Sequence, residues 1–126
     1  MLSDNDVNAK WNELFTVLVR TAQITRYEDI EIAQLVPLLG GLGLIQPFNW
    51  NAWDQPVPAP HEMWQLNIFD CIRHITRFVR ADRFNEGVLH GAVRSGALPI
   101  LCMVAFQRTG GQTAPALEAL GDVVAN

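Results

Sequence analysis

The sequence predicts an all-α protein: a single compact bundle of five or six helices with a loop rich in tryptophan and proline. Apolar residues recur every three or four positions in several segments, which is the spacing of one face of an α-helix. No alternation of apolar and polar residues continues beyond four positions, so no strand is expected. With 126 residues, 49% of them hydrophobic, the chain is long enough for one core and short for two domains.

The first two helices are predicted from capping residues and apolar stripes. Helix one has side-chain acceptors for free amides at Ser3–Asp6 and would end near Thr25. Helix two would begin around Tyr27–Asp29 and end at a cluster of three glycines. Pro37 lies within it and predicts a kink or a break at Val36. The stripes consist of Trp11, Leu14, Phe15, Leu18 and Ala22 in the first helix, and of Ile32, Leu35, Val36 and Leu39 in the second.

Residues 45–60 differ in kind from the helical segments. They carry Trp50 and Trp53 and then three prolines at alternate positions over Pro56–Pro60. Prolines at that spacing cannot lie within one regular helix, so an extended arm is expected. Asn49 is suited to cap a single helical turn that would place both tryptophans on one side. The aromatic side chains either fold back over the core or form a binding surface.

The strongest helical signal lies at residues 62–80. It is followed by a predicted turn at 81–86, in which Phe84 would enter the core and Asp82 or Asn85 would cap the next helix. The apolar stripe of the helix consists of Ile68, Cys71, Ile72, Ile75, Phe78 and Val79, and its other side carries Asp70, Arg73, Arg77 and Arg80.

Two further helices are predicted after the turn. A short one covers about 85–95 and is closed by Gly96. The next covers 98–107, with Pro99 in its first turn, where a missing amide hydrogen does no harm. Two glycines at 110–111 would end it.

The end of the chain carries a weaker helical signal. It would form a short helix at Pro115–Leu120 or fray. We therefore expect one helical domain over residues 1–111 and a weakly helical or frayed tail over 112–126.

Charge is unevenly distributed along the chain. The net charge is −4 overall, but it is −5 over residues 1–62 and +1 over 63–126. Residues 73–94 alone carry +3. The basic residues of that stretch are all arginine, namely Arg73, Arg77, Arg80, Arg83 and Arg94. The planar guanidinium suits carboxylates and phosphates alike, so the stretch is a candidate binding face.

The sequence offers little support for catalysis. It contains no nucleophile elbow, P-loop, dinucleotide-binding glycine motif or zinc-protease motif, so we predict no enzyme, no catalytic residue and no cofactor. Glu86 and His90 lie four residues apart on one helical face, but a structural zinc site needs four ligands. No metal site is expected.

The chain is predicted to be cytoplasmic. Its first residues lack the basic start and apolar core of a signal peptide. The apolar run over 97–106 spans only about 15 Å as a helix, about half of a bilayer core, so no membrane contact is expected. Cys71 and Cys102 lie within apolar helical patterns and are interpreted as small buried hydrophobes in a reducing compartment.

Three stretches carry a family resemblance: 47–53, 78–89 and 95–98. They resemble a family of small bacterial proteins known only as a domain of unknown function, with a Phe-Asp-Trp element, a RADRF-x-EG corner and an ESG helix end. The resemblance covers roughly residues 30–108. Asn49 and Arg94 stand where the family has acids, which argues against an acidic site there. The resemblance implies an α-helical fold and a bacterial or phage-borne origin, and it implies no activity.

These features predict a small non-enzymatic protein that binds another protein. Aromatic residues and arginine dominate many interface hot spots. The candidate binding residues are Trp50, Trp53, Arg80, Asp82, Arg83 and Glu86. The alternative is nucleic-acid contact through the arginines of 73–94, with an inhibitor of bacterial defence complexes as a variant. The acidic net charge argues against nonspecific nucleic-acid binding by the whole surface. A homodimer is also open, since a helical domain this apolar could bury a face in a second copy.

Overall fold

The computed structural model describes residues 4–23, 30–47, 55–85, 87–109 and 115–125. Within these ranges it has seven helices and no strand, which confirms the all-α prediction. The helices are α1 (Asp4–Ala22), α2 (Ile30–Gly41), α3 (Pro60–Met63), α4 (Ile68–Phe84), α5 (Val88–Arg94), α6 (Ala97–Arg108) and α7 (Pro115–Ala125). The count exceeds the predicted five or six because α3, a single turn, is separate from α4.

The core is built around α6, in which every residue from Ala97 to Phe106 is buried. Three aromatic rings join it to α1. The ring centroid of Phe106 lies 5.3 Å from those of both Trp11 and Phe15, each in an edge-to-face arrangement. Aromatic pairs favour this arrangement because the positive ring edge meets the negative face of its neighbour. The predicted α1 stripe is thus confirmed as core at Trp11, Leu14, Phe15 and Leu18.

Helix α2 continues past its proline. Of the two alternatives predicted at Val36, the break is wrong, since the helix runs from Ile30 to Gly41 with Pro37 inside it, and the kink stays a prediction. Proline removes the hydrogen bond to the carbonyl four residues earlier, here that of Ala33. Ala33 and Pro37 are both exposed, so water can bond the freed carbonyl while Leu35 and Leu39 stay buried.

The long central helix starts later and ends later than predicted. Asn67 begins α4, because its Oδ1 accepts a hydrogen bond from the Asp70 amide at 2.8 Å. The helix then continues to Phe84, so the predicted turn at 81–86 is wrong over its first four residues. The placement of Phe84 in the core is also wrong, since 90% of that side chain is exposed. One further turn of helix carries it to the outer side, eleven residues after Arg73.

Asp82 caps α5, as predicted for Asp82 or Asn85. Its Oδ1 accepts a hydrogen bond from the Leu89 amide at 2.9 Å, in the first turn of α5. The residue before that helix is Gly87, which has φ 95° and offers no side chain of its own for the cap. The carboxylate seven residues earlier therefore supplies the acceptor that the helix start lacks.

We expect Asp82→Ala to lower the free energy of unfolding by about 1–2 kcal/mol, because the buried end of α5 loses its acceptor. Urea unfolding followed by circular dichroism measures this, and faster hydrogen exchange at the Leu89 amide localises it. Asp70→Ala is the control, since Asp70 makes only a partly exposed ion pair with Arg73 at 3.3 Å. Its expected effect is about 0.5 kcal/mol. Equal losses in the two variants would contradict the cap.

The two cysteines are free and buried, which confirms their interpretation as small hydrophobes. Cys71 lies on α4 and Cys102 on α6. Burial raises the pKa of the Cys71 thiol to about 11 and also raises the pKa of Cys102. Both side chains are therefore protonated at neutral pH and are poor nucleophiles.

The last helix is more substantial than the sequence indicates. It runs from Pro115 to Ala125, where the sequence predicts a weak helix at Pro115–Leu120 or a frayed end. It packs against α1, and the Asn12 side-chain oxygen accepts a hydrogen bond from the Ala116 amide at 2.7 Å. Leu120 is fully buried. Its burial makes α7 part of the core.

Among the described residues, no single helix has the length and apolarity needed to cross a bilayer. Helices α5 and α6 reach those values only when taken together, and they are bent by 72° relative to one another.

Candidate protein-binding face

One side of α4 combines aromatic and basic side chains in a single row. We call this row the outer face of α4, and it consists of Phe69, Arg73, Arg77, Arg80 and Phe84. Successive members are three or four residues apart, so they lie along one side of the helix. Phe84 lies fifteen positions after Phe69, which corresponds to about 22 Å at the rise of an α-helix. The opposite side of α4 carries the buried residues Cys71, Ile75 and Val79.

The two phenylalanines at the ends of this face are exposed. Phe69 is 67% exposed and Phe84 is 90% exposed, and both exceed the other large exposed hydrophobics of the described residues, Val57 and Trp64 at 40% each. Phenylalanine is among the residues most often buried in proteins. Sequence reasoning did not select Phe69 at all. Its position, four residues before Arg73 and outside the apolar stripe, was the available signal.

The arginines between them differ in their surroundings. Arg73 is half-buried and pairs with Asp70, with 3.3 Å between Nη1 and Oδ1. Arg77 donates from Nη1 to the carbonyl oxygen of Gln55 at 2.6 Å. Arg80 and Arg83 are exposed, with Arg83 at the border of the outer face.

Helix α4 therefore holds four of the five arginines predicted as a basic face. The fifth, Arg94, is exposed in the last turn of α5 and belongs to a different helix. Helix α4 also carries two aspartates, so its side chains sum to +2. Asp82 accepts a hydrogen bond at the start of α5, and Asp70 forms an ion pair with Arg73. The exposed charge along the outer face is thus positive.

The predicted corner set is only partly brought together. Arg80 and Arg83 are exposed on α4, whereas Asp82 is half-buried and holds the start of α5. Glu86 lies outside the described residues, as do Trp50 and Trp53. The proposed pairing of Glu86 with His90 is therefore outside them too. Among the residues that are described, no group of three or more His, Cys, Asp and Glu side chains is placed to hold a metal ion.

Trp50 and Trp53 lie in residues 48–54, which are outside the described ranges. The described residues before and after this segment are both hydrogen-bonded to α4. On one side, Thr76 Oγ1 accepts from the Gln46 amide at 3.1 Å and donates to the Leu44 carbonyl at 3.4 Å. On the other side, Arg77 holds Gln55. The chain therefore leaves α4 and returns to it at two adjacent residues of the helix.

A cleft of about 530 Å³ lies between α4 and the proline arm, which is the described segment at residues 55–59. Residues of the arm form one wall, and α4 with the segment before it forms the other. The lining residues are Gln55, Pro56, Pro58, Glu62, Leu66, Asn67, Asp70, Arg73 and His74. Burial, and secondarily the charge of Arg77, lowers the pKa of His74, so its imidazole is neutral at pH 7. The cleft is therefore lined by two carboxylates and one guanidinium, a net charge of −1, beside a neutral ring.

Comparison with known proteins assigns a family and no activity. Residues 19–105 match the family model DUF6508, described as a family of unknown function. The match covers more than half of the chain, so the chain belongs to this family. It confirms the resemblance to a domain of unknown function. No curated protein and no solved structure matches the chain.

Proposed function

We propose that this DUF6508 protein binds another protein through the outer face of α4. The observation that carries the proposal is the pair of exposed phenylalanines, Phe69 and Phe84, at the two ends of a row of arginines. Aromatic residues and arginine are enriched at protein interfaces, whereas lysine and acidic residues are depleted there. The row contains no lysine.

The fold does not require these two side chains to be aromatic. The core is complete without them, since α4 buries Cys71, Ile75 and Val79 on its other side. A solvent-facing phenylalanine contributes little to folding stability but offers a large apolar area to a partner. Binding accounts for both phenylalanines.

The proposal keeps part of the predicted binding set and extends it. Arg80 and Arg83 remain in it, and Phe69 and Phe84 join it. Trp50 and Trp53 remain candidates, because the described chain on both sides of their segment is held by α4. Glu86 also remains a candidate binding residue, because it follows the end of α4 by two positions in the sequence. Asp82 is assigned a structural role, because its carboxylate is engaged in capping α5.

The protein is further proposed to be a non-enzymatic cytoplasmic protein of bacterial or phage origin. The family resemblance supports the proposed origin. Two buried free thiols suit a reducing compartment. The face itself offers arginine and phenylalanine, neither of which serves as a nucleophile or as a general base at neutral pH.

Nucleic-acid contact is the second candidate, including the variant of an inhibitor of bacterial defence complexes. The observation in its favour is the placement of Arg73, Arg77, Arg80 and Arg83 on one helix. Against it stands the net charge of −4, which repels a polyanion. Phosphate contacts would weaken steeply as salt rises. Binding of an oligonucleotide at low salt that is lost at physiological salt would favour this candidate.

The test of protein binding is site-specific cross-linking. A photoreactive phenylalanine analogue is placed at Phe84 in one variant and at Gln107 in another. Gln107 is also exposed but lies in the last turn of α6. We expect discrete protein adducts at position 84 in a lysate of the source organism, competed by the unlabelled protein, and none at position 107. No adduct at position 84, or the same adducts at both positions, would contradict the proposal.

A further inference from the structure

We infer that the cleft between α4 and the proline arm binds a small organic cation, namely an amine with an apolar body. The inference goes beyond the proposed function, since neither of the two exposed phenylalanines lines the cleft. The cleft volume of about 530 Å³ falls within the range of small-molecule sites, about 300–1,000 Å³. Its walls, its charge and its apolar lining each bear on the kind of ligand that fits.

The walls of the cleft are held in place by hydrogen bonds within the chain. The proline arm is held by Arg77, whose Nη1 donates to the Gln55 carbonyl at 2.6 Å. The segment before α4 is held by Arg108, which donates from Nε to the Leu66 carbonyl at 3.1 Å and from Nη2 to the Trp64 carbonyl at 2.9 Å. A ligand therefore meets a preformed cavity, and ordering of the protein costs little binding free energy.

The net charge of the cleft is that of Glu62. Asp70 and Arg73 form an ion pair, with 3.3 Å between Oδ1 and Nη1, so their charges cancel. Glu62 lies in α3 and contacts the neighbouring His61 at 3.7 Å, which is an ion pair only when that imidazole is protonated. The lowered pKa of His74 keeps its ring neutral at pH 7. The remaining carboxylate favours a cation over an anion as the ligand.

The polar lining suits an ammonium group better than a metal ion. Ca²⁺ takes about six to eight oxygen ligands and Mg²⁺ about six, whereas Glu62 is the only lining carboxylate that is not paired with an arginine. An ammonium group donates three hydrogen bonds and is satisfied by neutral acceptors beside one carboxylate. The side-chain oxygens of Gln55 and Asn67 are acceptors of this kind. That of Asn67 accepts from the Asp70 amide and has a second lone pair.

The apolar part of the lining lies on both walls of the cleft. Pro56 and Pro58 belong to the arm, and Leu66 belongs to the segment before α4. Pro58 and Leu66 are each half-buried, so part of each side chain is accessible. A hydrocarbon body between the walls removes apolar surface from water on both sides. A bare inorganic cation lacks that contribution, which is why the inferred ligand is an amine with an apolar body.

The experiment titrates five probes into the ¹⁵N-labelled full chain and follows its amide shifts. 2-Phenylethylamine carries both the ammonium group and the apolar body. 2-Phenylethanol keeps the body without the charge, 3-phenylpropionate reverses the charge, methylamine lacks the body, and magnesium chloride supplies an inorganic cation. We expect 2-phenylethylamine to shift the amides of Leu66, Asp70 and His74, with a dissociation constant on the order of 1 mM.

We expect each of the other four probes to bind at least about tenfold more weakly. Absence of shifts at about ten times the expected dissociation constant of 2-phenylethylamine, or shifts confined to other helices, would overturn the inference. Equal binding of 2-phenylethanol would overturn the cationic group, and equal binding of methylamine would overturn the apolar body. Tighter binding of 3-phenylpropionate or of magnesium would overturn the organic cation as a class.

Two charge removals locate the ammonium group. Glu62→Gln keeps the shape of the side chain, and we expect it to weaken 2-phenylethylamine about tenfold and 2-phenylethanol by less than about twofold. Glu13→Gln makes the same change at an exposed position of α1, and it should alter the binding of both probes by less than about twofold. An equal effect of the two variants would indicate attraction by net charge alone and would overturn the inference.

The cross-linking experiment distinguishes a free amine from a lysine side chain of the protein partner. A free amine requires that Glu62→Gln leave the adducts at position 84 unchanged. Loss of those adducts in Glu62→Gln would overturn the free amine in favour of a basic side chain of the partner. Binding of 2-phenylethylamine without adducts at position 84 would support the cleft site and disprove the proposed function, and adducts without amine binding would do the reverse.

Discussion

Replacing Phe15 by alanine should lower the free energy of unfolding by about 3–5 kcal/mol, which is a large share of the stability of a domain this size. Phe15 is fully buried, and its ring contacts Trp11 and Phe106, at centroid distances of 5.8 and 5.3 Å. The loss combines the transfer energy of the ring with the cavity that it leaves at the junction of α1 and α6. Urea unfolding followed by circular dichroism gives the midpoint and the slope, from which the free energy is obtained.

The matched control is Phe84→Ala, which removes the same side chain from a site that is 90% exposed. Its expected effect is within about 0.5 kcal/mol, as for most surface substitutions. The pair tests whether phenylalanine in this chain serves two separate purposes, core and surface. A loss above about 2 kcal/mol from Phe84→Ala would show that Phe84 packs against the fold, and the binding face would then lose one of its ends.

Leu120→Ala should cost about 2–5 kcal/mol, the usual range for a buried leucine. Leu120 is fully buried, and it belongs to α7, which lies against α1. The same unfolding experiment applies. A helix that merely frayed at the end of the chain would lose almost nothing from this change, so a small loss would contradict the packing of α7.

Glu118→Ala is the control for Leu120→Ala. Glu118 is exposed in the first turn of the same helix, where a carboxylate interacts favourably with the helix dipole. Its loss should cost no more than about 1 kcal/mol. The difference between the two variants isolates core packing from helix propensity, because both replacements introduce alanine into α7.

The sequence predicts the buried helices well, because their apolar stripes follow helical spacing without interruption. The stripe of α1 and that of α4 lie in the core where they were expected. Pro37 is the exception, because the break that it predicts at Val36 is absent. Its effect depends on whether solvent can reach the Ala33 carbonyl, and the position of a helix relative to solvent is set by its neighbours.

The end of α4 shows why the candidate site was harder to predict. Phe84 is aromatic and follows a charged run, and composition alone favours placing it in the core. One more helical turn places Phe84 on the outer side, and the same turn contains Asp82, whose partner Leu89 lies on the next helix. The same contact withdraws Asp82 from the surface. The sequence does predict Asp82 as one of two possible caps of α5. It does not predict that α4 continues to Phe84, and that last turn is what exposes the phenylalanine.

Thr76 bonds the backbone of Gln46 and Arg77 bonds the backbone of Gln55, so two adjacent residues of α4 close the chain between those two positions into a loop in the topological sense. The entropic cost of closing such a loop grows only with the logarithm of its length, at about 0.6 kcal/mol for each doubling. Insertions and exchanges between the two anchors should therefore be tolerated with little loss of stability. The helical frame can stay constant while the sequence between Gln46 and Gln55 changes, as the framework of an antibody does for its hypervariable loops.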